Sequence, residues 1–243
     1  MTDHAGLLFL WGTPRSMSTA FLRMMLERGD HEVYHEPFSS IVVQGHATVG
    51  ERTATSIAEL LKLLQERALD RRVFVKETTE YDYLGNGGED IPDAGSHTFL
   101  VRHPRSVIAS HYAMNPDMVC AEVGYHHQAG IARRVRAASG AKPLVVEAEA
   151  LIAAPADTIR DYCRYAGIPF LAGALSWRPG DQRAWSRTRQ WHRDVADSTG
   201  FTPPSRTYAQ TVDNNPKLAA CYRCHLPSYE MLRTWSRTPD TGR

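Results

Sequence analysis

The chain has 243 residues, 42% of them hydrophobic, which is enough to bury one substantial core and near the upper size for a single domain spanning 1–243. Lysine and arginine total 28 against 27 acidic residues, so net charge argues against bulk binding of a nucleic-acid polymer. No apolar run approaches the roughly 20 residues that span a bilayer. The N-terminal stretch MTDHAGLLFLWG has an acidic residue and no basic region, so a cytoplasmic protein without a membrane partner is expected.

The first element is the most informative. Leu7 to Trp11 is a continuous apolar run, as in a parallel strand covered on both faces, and Gly12, Thr13 and Pro14 break it. Phe21, Leu22, Met25 and Leu26 then recur at helical spacing, with Ser16 and Ser18 as candidate capping hydroxyls. Loop amides and the positive end of the helix dipole are thereby predicted to converge near Arg15, Ser16, Ser18 and Thr19, where a phosphate or sulfate fits. This is no Walker A loop, because Arg15 comes early and no Gly-Lys-Ser/Thr follows.

Further along, Glu32 to Tyr34 reads as the edge of a second strand, whose regular continuation Pro37 prevents. Ile57 to Leu69 is a strongly periodic helix. Val73 to Val75 is a strand ending in Lys76, and the glycine-rich stretch Tyr81 to Ser96 predicts a long loop of the kind that often forms a lid. Thr98 to Val101 is another strand, ending in Arg102 at the carboxyl edge where open α/β sheets bind ligands. Pro104 suits the first turn of the next helix, and Ser110 stands roughly two turns into it. Asn115 to Gly124 reads as irregular, while Pro155 to Ala166 and Pro216 to Trp235 read as helices. No repeats occur, and the pattern is that of a three-layer α/β fold with a mostly parallel central sheet flanked by helices.

In order and separation, these segments resemble the sulfotransferases that use 3′-phosphoadenosine 5′-phosphosulfate (PAPS). GTPRSMSTAF is similar to that family's loop for the 5′-phosphosulfate, which implies that Thr13, Pro14, Arg15, Ser16, Met17, Ser18 and Thr19 bind the donor. Arg102 and Ser110 match the arginine and serine that hold the 3′-phosphate, and VVEAEALIAAPADTIRDYCRYAGIPF (145–170) is similar to the region that ends in a Gly-hydrophobic-Pro turn. The resemblance implies a P-loop-like fold, sulfuryl transfer to a hydroxyl-bearing acceptor, adenosine 3′,5′-bisphosphate (PAP) as product and no metal. The cytosolic branch carries a loop lysine, here Arg15, and a catalytic histidine two positions after a second lysine, here Thr78 after Lys76. The branch that includes tyrosylprotein sulfotransferases uses a loop arginine and a downstream glutamate, and Glu36 falls where that glutamate would fall. The segment Pro179 to Pro204, with Trp185, Trp191 and His192 among Arg183, Arg187, Arg189 and Arg193, occupies the place where relatives fold over the nucleotide. Its residues do not match their glycine-rich pattern, so only its location carries over.

The chemistry supports the same assignment. Transfer to an alcohol needs a base for the hydroxyl proton and cations for the charge that grows on the leaving phosphate. Glu36 is expected to be the base, with Arg15 and Lys76 as the cations. His35 is the rival by its ordinary pKa, but neighbouring side chains of an extended segment face opposite ways, so only one of the two is expected to point at the site. Tyr81, Tyr83, His126, His127 and Trp191 are candidates for lining the acceptor site, with packing as the other reading. Cys221, Cys224 and His225 form CYRCH, which matches a haem-attachment pattern and half of a zinc pattern; without further ligands nearby in sequence, reduced structural cysteines are expected. A P-loop kinase lacks its lysine here, and a non-catalytic nucleotide-binding module would have no need of Glu36 or Lys76.

Overall fold

The computed structural model describes residues 6–203 and 206–236, apart from the side chain of Arg187. Strand β1 (Leu7–Gly12) leads into helix α1 (Ser18–Arg28), followed by β2 (Glu32–His35), α2 (Pro37–Gln44) and a hairpin of β3 (Ala47–Val49) and β4 (Arg52–Ala54). Then come α3 (Ile57–Asp70), β5 (Val73–Thr78), β6 (Ser96–Val101), α4 (Pro104–Met114), α5 (Tyr125–Ser139), β7 (Leu144–Glu147), α6 (Ala148–Ala153), α7 (Pro155–Tyr165), α8 (Arg193–Ala196) and α9 (Pro216–Ser236). Helices start where the sequence marks them: Ser56 accepts from the Glu59 amide at 3.2 Å to cap α3, and a proline opens each of α2, α4 and α7.

The main sheet has the order β2-β5-β1-β6-β7, and all of its pairings are parallel. Along β1 the side chains alternate between two cores. Leu7, Phe9 and Trp11 join the face that carries residues of α3, α4, α5 and α9, whereas Leu8 and Leu10 join Phe21, Leu22, Met24 and Met25 of α1 and Ile159 and Tyr162 of α7. These are the three expected layers. Because every strand of the sheet is parallel, the carboxyl ends of β1, β2, β5 and β6 share one edge, and that edge positions the site.

Two expectations change. The β3–β4 hairpin is not anticipated by its short strands. The stretch 81–96 is irregular as expected, with two short 3-10 turns, but it is no free flap: Tyr83 and Ile91 are fully buried in the core below the sheet edge.

Candidate active site

The loop after β1 is built around a close approach. A Cβ at Gly12 would lie 2.7 Å from Ser16 Oγ, and the Ser16 amide donates to the Thr13 carbonyl at 3.2 Å, so the chain doubles back immediately. Arg15 (φ 64°) and Met17 (φ 72°) are both left-handed and flank Ser16, a backbone pattern that turns amides toward a common anion. Met17, not Ser16 or Ser18, is the N-cap of α1, and no side chain caps it. Ser18 is already inside the helix, and the Ser16 hydroxyl is sealed beneath the loop without a partner. Helical geometry therefore leaves the first amides of α1 to an outside acceptor. Pro14, Arg15, Met17, Ser18 and Thr19 line the adjoining cavity of about 950 Å³; Thr13 and Ser16 are fully buried behind it and shape the loop from within.

Arg15 is the hub of the site. Its Nε donates to Ser110 Oγ on α4 at 2.9 Å, its Nη1 to the Trp191 carbonyl at 2.5 Å, and its Nη2 meets Asp194 Oδ2 at 3.4 Å. Arg102 donates from Nη1 to the Arg15 carbonyl at 3.0 Å, while its own carbonyl accepts from the Tyr125 hydroxyl. Arg102 and Ser110 thus reach one cavity with Arg15 between them.

Lys76 lies within β5, which runs on to Thr78 rather than ending at Lys76 as expected; it donates from Nζ to Glu36 Oε1 and is only 3% exposed. Glu36 follows β2, is paired to β5 through its amide and the Lys76 carbonyl at 2.7 Å, and adopts a left-handed backbone (φ 53°) as the N-cap of α2. That turn breaks the alternation of an extended segment. His35 and Glu36 therefore both line the cavity, with His35 Nε2 3.6 Å from Glu36 Oε1, contrary to the expectation that only one would. Burial opposes ionisation of Glu36, but the charges of His35 and Lys76 outweigh it and hold the carboxyl at about 2. Burial pushes His35 down to about 4, so Lys76 is the standing cation beside Glu36 at neutral pH. Thr78 also lines the cavity.

The segment 183–196 folds across this opening. His192 Nδ1 meets Thr19 Oγ1 at 3.0 Å, its Nε2 meets Thr188 Oγ1 at 3.0 Å, and its ring stands edge-on to His35 at 5.0 Å. Of the segment expected to cover the nucleotide, residues between Arg183 and Pro203 line the cavity; Pro204 and the Arg187 side chain lie outside the described residues. Of the aromatic and histidine candidates for an acceptor wall, Tyr81 and Trp191 line the cavity. Tyr83 is fully buried, His126 turns to Cys224 and Ser228, and His127 meets the Thr79 carbonyl.

Several residues here had no motif to announce them. Glu80 and His111 line the cavity and, with Glu122, bring three ligand atoms within 4.8 Å of one another. Burial, with Glu122 and Glu36 nearby, pushes Glu80 up to about 7, and burial beside Arg15 pushes His111 down to about 4. Glu77 is buried under the sheet edge, where it accepts from the Phe38 amide at 2.7 Å and the Ser39 hydroxyl at 2.6 Å, so a carboxylate on β5 holds the start of α2.

The sulfotransferase domain family matches residues 7–235, and the chain belongs to that family. It resembles in fold the sulfotransferase domain of the Synechococcus PCC 7002 olefin synthase, at 18% identity and TM-score 0.54 over 90% of this chain and 94% of that one. It also resembles a mouse sulfotransferase solved as a complex with PAP, at 10% identity and TM-score 0.51 over 96% and 89%. Among curated proteins, "Branched-chain-amino-acid aminotransferase-like protein 1" of Arabidopsis thaliana is 25% identical over 236 residues, covering 92% of this chain. The chain spans 41% of the length of that relative. Among the described residues no helix is long and apolar enough to cross a membrane.

Proposed function

We propose that the protein transfers the sulfuryl group of PAPS to a hydroxyl of an acceptor. The observation that carries this reading is the convergence of Arg15, Lys76 and Glu36 from three chain segments on one cavity beside the uncapped start of α1. In this assignment the loop 13–19 takes the 5′-phosphosulfate and Arg102, with Ser110, takes the 3′-phosphate. Glu36 accepts the acceptor's proton as its oxygen bonds to sulfur. The bond from sulfur to the phosphate oxygen breaks, and its electron pair stays on that oxygen, where Arg15 and Lys76 stabilise the charge. Lys76 has two roles: it pairs with Glu36 before the donor arrives and turns to the leaving phosphate afterwards, which restores basicity to the carboxylate.

The test is transfer of labelled sulfuryl from PAPS to a panel of phenols, aliphatic alcohols, carbohydrates and tyrosine peptides, without added metal. The expected result is stoichiometric PAP and a labelled ester for at least one acceptor class. Labelled phosphate moving from ATP only when magnesium is present would overturn the assignment in favour of a kinase.

A further inference from the structure

Outside the residues that line the cavity, the chain assembles a second cluster. Cys120 opens a short 3-10 turn, Cys120–Val123, just before α5; Cys221, Cys224 and His225 stand at i, i+3 and i+4 on α9 and so share one face of that helix. The ligand atoms of Cys120, Cys221 and His225 all lie within 4.8 Å of one another. Cys120 Sγ is 3.4 Å from His225 Nε2, close to the edge of about 3.5–3.8 Å that a tetrahedral zinc site has between its ligand atoms. His225 is fully buried and Cys221 is 4% exposed, whereas Cys224 is exposed and offers a way in. The ligands absent from the neighbourhood of CYRCH in sequence are thus supplied by folding, with His126 Nε2 a further 3.2 Å from Cys224 Sγ.

We propose that Cys120, Cys221, Cys224 and His225 form a structural site for a thiophilic divalent cation, zinc by preference, that staples α9 to the turn in front of α5. Small thiols alone are ordinary core fillers. A fully buried imidazole with Nδ1 unpartnered, facing thiols through Nε2, is not filler. Its Nε2 donates to the Cys120 carbonyl at 2.7 Å, so the ring's lone pair stands on the unpartnered Nδ1 in the metal-free protein. Metal binding displaces the thiol protons to solvent and moves the imidazole proton from Nε2 to Nδ1, so that two thiolates and the freed Nε2 lone pair engage the cation, with the third thiolate at the open side. Because the same turn carries Glu122 toward Glu80 and His111, the staple also braces one wall of the cavity.

The test uses the full chain, reduced and free of metal, titrated with Co²⁺ and then Zn²⁺. Expected are d–d absorption bands of a tetrahedral thiolate site saturating at one equivalent, their loss on addition of zinc, acidification of weakly buffered solution, and a Tm raised by about 5–10 °C at 100-fold excess over Kd. Cys120→Ser and Cys221→Ser lose the bands, and Cys163→Ser, which alters a cysteine elsewhere, keeps them. Zinc protection of Cys120, Cys221 and Cys224 from alkylation, read by mass spectrometry on the unaltered chain, is independent of whether variants fold. Absence of the bands from the folded, reduced protein, or equal alkylation with and without zinc, would overturn the proposal.

Discussion

At the scale of single residues, the chemistry turns on a carboxylate and its neighbours. Glu36 is held at about 2 by the charges around it, a poor base until Lys76 moves to the departing phosphate. Glu36→Gln keeps the shape and removes the base, so folding and PAP affinity are expected to persist while turnover drops about 100-fold to 10,000-fold. His35→Asn is expected to be milder, since His35 is already neutral at pH 7. Both variants assayed on one acceptor decide the matter: an active glutamine variant beside a dead asparagine variant moves the base to His35. Arg102 is tested by binding. If it holds the 3′-phosphate, Arg102→Ala weakens PAP by about 1.5–3 kcal/mol more than it weakens adenosine 5′-phosphate. Equal losses by calorimetry would remove Arg102 from that role.

At the scale of elements, the segment 183–196 is held down by Arg15 against Trp191 and Asp194 and by His192 against Thr19. His192 is pushed to about 3, first by burial and then by His35 and Lys76, well below its ordinary 6.5. Between those values the unfolded chain binds a proton that the folded chain refuses. The contribution of His192 is therefore complete above pH 6.5 and is lost as pH falls toward 3. Unfolding free energies from urea titrations between pH 4 and 6 are expected to decline more steeply in the unaltered protein than in His192→Gln, by about 1.4 kcal/mol per pH unit. Parallel slopes would mean that this imidazole takes up its proton without cost. Glu77 shows the same economy of placement: one buried carboxylate joins β5 to the first turn of α2 and so sets the backbone that presents Glu36.

At the scale of the whole molecule, the parallel sheet delivers the loop amides with Arg15, Lys76 and Arg102 to one edge, so a nucleotide bound as proposed ties three segments of chain together. Ligand that binds only the folded state raises stability by mass action. PAP at 100-fold excess over Kd is expected to raise Tm by about 5–10 °C, and ATP with magnesium by much less. Arg15→Ala is expected to reduce the PAP shift, since it removes a cation and also frees the covering segment. An equal response to both nucleotides in a thermal scan would contradict a site selective for PAP.

The amino-acid sequence by itself marked the strands β1, β2, β5 and β6 and the helices α1, α3, α4, α7 and α9 in their order, though not α2, α5 or the β3–β4 hairpin, because strand runs, helical periods and punctuation by Gly12, Pro37 and Pro104 are local signals that need no partner. Its resemblance to the sulfotransferases also marked Arg15, Glu36, Lys76, Arg102 and Ser110 as a set. Tertiary structure decided what those residues touch. Ser110 meets Arg15, the hydroxyls of Thr13 and Ser16 lie behind the loop, and His35 shares the cavity with Glu36 because the left-handed turn at Glu36 cancels strand alternation. It alone assembled Glu80 with His111 and Glu122, and Cys120 with the cysteines of α9, 101 residues apart for Cys120 and Cys221. Such clusters leave no local pattern in the chain. Their members are brought together by burial of the surrounding apolar faces, which is indifferent to the polar groups it gathers.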